Sequence, residues 1–149
     1  MSTTAPKQTA LSPAPVVSTD PVLLTRRIVV GLSLAVIAAI HVLDLPGKFA
    51  ETPYLAVAYL GLIVAALVIA ERLFAAGDRR TRLEFTAAAV LSALVIMGFV
   101  VNRTVGMPGA MDDIGNWLEP LGLLSLLVEG FVIWQALAAL TTRGRNPHR

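Results

Sequence analysis

The sequence predicts an all-α membrane protein: an antiparallel, up-down-up-down bundle of four transmembrane helices with both termini in the cytoplasm. Composition is the first observation, since 56% of the 149 residues are apolar, only 15% are charged and the mean hydropathy is +0.73. The second is pattern. The apolar residues gather into four long runs with no polar face, unlike the amphipathic helices of a soluble domain. The third is charge. The N-terminal flank, the second loop and the C-terminal tail hold Lys7, Arg26, Arg27, Arg72, Arg79, Arg80, Arg82, Arg143, Arg145 and Arg149, whereas the first and third loops hold only Lys48 and Arg103. Basic residues concentrate on the cytoplasmic side of membrane proteins, so the first and third loops face outward. Connections this short force neighbouring helices to run antiparallel.

Residues 1–25 read as a disordered cytoplasmic tail rich in Thr, Ala, Pro and Ser, with Pro6, Pro13, Pro15 and Pro21 opposing a regular helix. Residues 26–141 form the transmembrane domain, with spans at about 28–45, 54–70, 84–101 and 120–140, each near the length that crosses roughly 30 Å of hydrocarbon. Arg26-Arg27 before the first span faintly resembles a twin-arginine export signal, but no clean small-residue cleavage site follows. Gly31, Ala35 and Ala39 make a small-residue ridge expected to pack closely on a neighbour. Asp44 to Pro53 reads as a polar turn punctuated by Pro46-Gly47. Tyr54, Gly61 and Ala65 on the second span, and Ala89 and Ala93 on the third, suggest further contact lines. Residues 142–149 form a basic cytoplasmic tail. Ten of the twelve basic residues are Arg, a bias we read as that of a GC-rich bacterial gene, which places the protein in a bacterial cytoplasmic (inner) membrane.

The one sizeable polar island is Asn102 to Pro120. Met107-Pro108-Gly109-Ala110 fits a type II turn, with Pro108 fixing φ and Gly109 supplying the positive φ. Asp112 and Asp113 look like caps for a short interfacial helix containing Ile114 and Trp117, with Trp117 at headgroup level. Asn116-x-x-Glu119 matches a capping box, but Pro120 fits better as the first residue of the fourth span. The segment reads as an outward-facing structural cap built on Pro108, Gly109, Asp113, Asn116, Trp117 and Pro120.

Ionisable groups inside a bilayer are costly and mark candidate sites. Glu129 lies about nine residues into the fourth span, about 14 Å deep at a rise of about 1.5 Å per residue, with Ser125 one turn above it. His41 lies near the outer end of the first span with Asp44 one turn further out, where a carboxylate can orient an imidazole. Tyr59 falls at a similar depth on the second span, and Arg103 closes the third, facing Asp112, Asp113 or Glu119. His41, Asp44, Tyr59, Arg103 and Glu129 thus form a candidate outward ligand pocket for a haem, quinone, metal ion or proton. Each also has a structural reading, as interhelical hydrogen bonds, packing rings or a cap ion pair.

Several chemistries lack their residues. No Cys is present, which removes thiol and disulfide chemistry. A bis-histidine haem lacks a second intramembrane His, because His148 is in the tail; only a dimer supplies one. Met107 and Met111 are soft enough for Cu(I) but sit in a proline turn. No phosphate-binding loop, zincin or nucleophile-elbow motif occurs. The net charge of +2 sits in membrane-flanking clusters and gives no nucleic-acid groove. His41, together with the run Arg103-Thr104-Val105-Gly106-Met107-Pro108-Gly109, resembles a group of small bacterial four-span proteins with an RTxGLPG-like third loop, with Met107 in place of the usual Leu. The resemblance implies an integral membrane protein and carries over no catalytic residue. The leading functional expectation is a non-enzymatic accessory or assembly partner in a larger membrane complex or homo-oligomer, with the pocket's ligand binding as the rival.

Overall fold

The computed structural model describes residues 20–75 and 81–144, with side chains followed as far as Thr142. The tail before Asp20, the charged residues Asp78, Arg79 and Arg80, and the tail after Gly144 lie outside the described residues. Four long helices pack as a bundle: α1 (Pro21–Glu51), α2 (Pro53–Ala75), α3 (Thr81–Thr104) and α4 (Pro120–Gly144). Each is long and apolar enough to cross a membrane. Helix α1 packs on α2 and α4, and α3 on α4 and α2, so the four close into a ring; the α2–α3 contact is the thinnest.

The helices run further than their apolar cores. Helix α1 begins at Pro21, inside the stretch read as tail, because Asp20 caps it: its carboxylate accepts from the Val22 N–H at 3.0 Å, and proline is tolerated in a first turn. At the other end, Asp44 to Glu51 is helical instead of a turn. Helix α1 passes through Pro46 and stops only at Thr52, whose N–H donates to Lys48 O at 2.9 Å. Pro46 removes one backbone hydrogen bond, but Asp44 and Lys48 in this last stretch line the space beneath the cap. That tertiary placement overrides the local punctuation.

The buried face of α1 is Leu23, Arg27, Val30, Gly31, Leu34, Ile37, Ala38 and His41. The expected Gly31-Ala35-Ala39 ridge does not hold together: Gly31 is buried, while Ala35 and Ala39 are exposed. The contact face is centred instead on the line Val30, Leu34 and Ala38, with Ile37 and His41 beside it, so Ala35 and Ala39 fall outside it. Gly31 alone is used, and a Cβ there would lie 2.6 Å from the Phe74 ring. On α2 the buried line is Ala56, Ile63, Ala66, Ala70 and Leu73, with Tyr54 and Gly61 exposed. The outer surface carries Leu32, Val36, Val57, Val64, Leu94, Leu127 and Trp134, as lipid contact requires. Lipid tails compete with such side chains on equal terms, so close packing and buried polar ties hold the bundle together.

One such tie is Arg27, which the sequence presents only as a flanking charge. Arg27 is buried, and its Nε donates to Leu73 O at 2.8 Å while its Nη2 donates to Phe74 O at 3.3 Å. The last carbonyls of α2 have no helical partner of their own, and a guanidinium from α1 supplies it. Arg72 on α2 pairs with the buried Glu84 on α3 at 3.8 Å.

Candidate ligand pocket beneath the cap

The third loop is a folded cap. Ala110 N–H donates to Met107 O at 2.9 Å and Gly109 has φ 78°, the geometry of a type II turn with Pro108 ahead of the glycine. The interfacial helix expected around Ile114 and Trp117 is instead a single 3-10 turn, Met111–Asp113, that ends before both. Asp113 is drawn to partners on the bundle instead of capping a helix. Gly115 N–H bonds back to Arg103 O at 2.9 Å, and Asn116 N–H to Asp113 O at 3.1 Å. Trp117 stands edge-on to Phe99, with ring centroids 6.0 Å apart.

Asp113 is the hub of the cap. Its carboxylate accepts from Arg103 Nη1 and, at 2.8 Å, from Asn102 Nδ2, and it pairs with Lys48 Nζ of α1 at 3.7 Å. Arg103 Nη2 reaches Glu119 Oε2 at 3.6 Å, and the guanidinium lies 5.1 Å over the Phe99 ring. Glu119 in turn caps α4, accepting from Leu121 N–H at 3.0 Å and Gly122 N–H at 2.7 Å. An acidic side chain at a helix N-terminus meets both the free N–H groups and the positive end of the dipole. Tyr54 of α2 donates to Pro108 O at 2.8 Å. All four helices are therefore tied to the cap. Asp112, the other candidate partner for Arg103, is exposed.

Burial acts against the charge on Asp113, but the hydrogen bonds from Asn102 and Arg103 and the nearby Lys48 and Arg103 cations outweigh it and hold the carboxyl below its ordinary value of 3.8. A depressed folded-state pKa stabilises the fold above the unfolded pKa and ceases to do so as pH falls through the folded value. Protection of the cap amides, taken as exchange relative to the intrinsic rate at each pH, is therefore expected to be high and constant above about pH 5 and to fall steeply below about pH 4, and Asp113→Asn should remove much of that step. An unchanged step in Asp113→Asn would assign it to another carboxylate.

Beneath the cap is a cavity of about 470 Å³, within the usual size of small-molecule sites. All five sequence-derived site residues line it: His41, Asp44, Tyr59, Arg103 and Glu129. His41 is buried, and its Nδ1 lies 2.9 Å from Ile37 O. A carbonyl can only accept, so Nδ1 carries the proton and Nε2 keeps a lone pair in the neutral ring. Asp44 was the expected orienting partner of His41; the backbone does that instead, and the Asp44 carboxylate sits beside the Tyr59 hydroxyl. The two rings meet edge to face with centroids 4.8 Å apart.

Deeper in the cavity, Glu129 is fully buried on α4. Ser125 Oγ donates to its Oε1 at 2.8 Å, while Oε2 has no partner. Asn102 Oδ1 and Arg103 Nε are also buried without partners. Among the described residues, no three His, Cys, Asp or Glu side chains gather to hold a metal ion. Sequence reading named Glu119 as a partner of Arg103 but missed its capping of α4, and it missed the role of Lys48. An acidic residue directly before a first-turn proline was the available signal for Glu119. Comparison of the chain with protein-family models, with curated proteins and with solved structures gives no match.

Proposed function

We propose that this integral membrane protein binds a small amphipathic molecule drawn from the lipid phase, held in the cavity beneath the cap with Glu129 as its anchor. The observation that carries this reading is the unpartnered Oε2 of a fully buried carboxyl on the wall of that cavity. A buried polar group without a hydrogen bond costs about 1–3 kcal/mol, and a bilayer offers no water to relieve it. A ligand bonded to Oε2 removes that cost. The distribution of basic residues supports an orientation with the cap outside and both termini in the cytoplasm, and the preponderance of Arg over Lys supports a bacterial inner membrane as the setting.

Ligand linkage gives the test. A molecule that binds only the folded state raises its unfolding midpoint. Protein stripped of lipid by extended detergent washing is expected to gain stability when a total membrane lipid extract is returned, and Glu129→Leu is expected not to. An equal gain in both would overturn the reading.

A second reading keeps the accessory or assembly role. Ala35, Ala39 and Ala93 lie on the outer, exposed surface, where small side chains allow another membrane helix to approach closely. Under it, a partner co-purifies with wild type and with Glu129→Leu alike and is lost on Ala35→Leu/Ala39→Leu.

A further inference from the structure

Arg103 and Lys48, both tied to the cap, line one end of the cavity, whereas its α2 and α3 walls are mostly apolar. The α2–α3 contact is the thinnest of the four, and along it Ala58, Gly61 and Leu94 are at once cavity-lining and exposed on the outer surface. A Cβ placed on Gly61 or Gly98, both on the cavity wall, would meet no atom within 4 Å. The two glycines therefore leave a gap in an apolar seam. A polar solute has no path through it, whereas a lipid-dissolved molecule has.

Resting on the binding reading above, we propose that the α2–α3 seam is a lateral port and that the molecule it admits is a single-tailed, ring-headed compound of the quinone class. The seam is apolar and open at Gly61 and Gly98, which suits a flat ring followed by one hydrocarbon chain, and a cavity of about 470 Å³ has room for a ring head and part of such a chain. The cavity is lined by the rings of His41, Tyr59 and Phe99 and by Glu129, whose Oε2 has no partner. A carboxylic acid donates a hydrogen bond and a carboxylate accepts one. A quinone carbonyl accepts and a quinol hydroxyl donates, so this ring couple satisfies Glu129 in either form.

The probe is a benzoquinone carrying a decyl tail, added to protein in lipid nanodiscs in a Trp134→Phe background. Emission then comes from Trp117, whose neighbour Phe99 lines the cavity. Saturable quenching is expected in this parent. Gly61→Leu/Gly98→Leu, which fills the gap and removes no polar group, should slow association by about tenfold or more, and the milder Gly61→Leu should fall between. Association as fast in both variants as in the parent overturns the port while leaving the binding site standing. No saturable quenching in the parent, with another molecule retained in native mass spectrometry, overturns the quinone class alone. Neither quenching nor a retained molecule overturns this inference and the binding reading together.

Discussion

Glu129→Leu is expected to make the empty protein more stable and to abolish ligand binding at once. The carboxyl is fully buried, and only one of its oxygens is bonded. Replacing an incompletely satisfied buried polar group with an apolar one of similar size is often neutral or stabilising. The unfolding midpoint of stripped protein should therefore rise, by an amount equivalent to about 1–2 kcal/mol. Ser125 loses its acceptor, but a helical serine can turn its hydroxyl to the carbonyl one turn back. Ligand-dependent stabilisation should vanish. Glu129→Gln keeps a polar group facing the cavity and should bind weakly, with stability near wild type. A carboxyl whose only role is to join helices predicts the reverse for Glu129→Leu, a loss of about 1–3 kcal/mol.

Arg103→Ala is expected to be the most destabilising single change in the cap. The guanidinium is buried and serves Asp113, Glu119 and the Phe99 ring together. Its removal leaves two carboxylates facing each other across the mouth of the cavity with Lys48 as the nearest remaining cation, 3.7 Å from Asp113. Breaking a buried pair costs about 3–5 kcal/mol. Asp113 and Glu119 are only partly buried, with side-chain exposures of 19% and 32%, so a cost near the lower end, about 3 kcal/mol, is expected after solvent screening. The loss should appear as a lower unfolding midpoint and as faster amide exchange across the cap. Arg103→Lys should recover only part of it, because a single ammonium cannot serve two carboxylates as a planar fork does. Unchanged cap exchange in Arg103→Ala would show that the turn at Pro108-Gly109 holds the loop unaided.

Four spans packed as a helical bundle were legible because run length and hydropathy are one-dimensional. Helix ends were not. Pro21 and Pro46 look like breakers in sequence, but one falls in a capped first turn and the other in a stretch anchored beneath the cap. The small-residue ridge failed beyond Gly31 because on a helix apolar all round residue size does not say which face meets its neighbours; the buried line is Val30, Leu34 and Ala38. The nearness of His41 and Tyr59 followed from counting residues inward from adjoining span ends. The orienting bond of His41 did not, since Ile37 offers only its backbone carbonyl, which sequence does not single out. The gap at Gly61 and Gly98 is an absence of side chains on two helices, visible only when α2 and α3 stand side by side. Arg27 and Glu119 were read for charge and proline context, whereas their work is to satisfy helix ends.

The central claim is that the cavity holds a lipid-phase molecule anchored at Glu129. Wild type and Glu129→Leu, purified in parallel in mild detergent, denatured, extracted into organic solvent and compared by mass spectrometry, test it most directly. A single small species recovered from wild type in near-equal ratio to protein, and missing from Glu129→Leu, is the predicted result. Equal recovery from both proteins, or nothing from either, would contradict it.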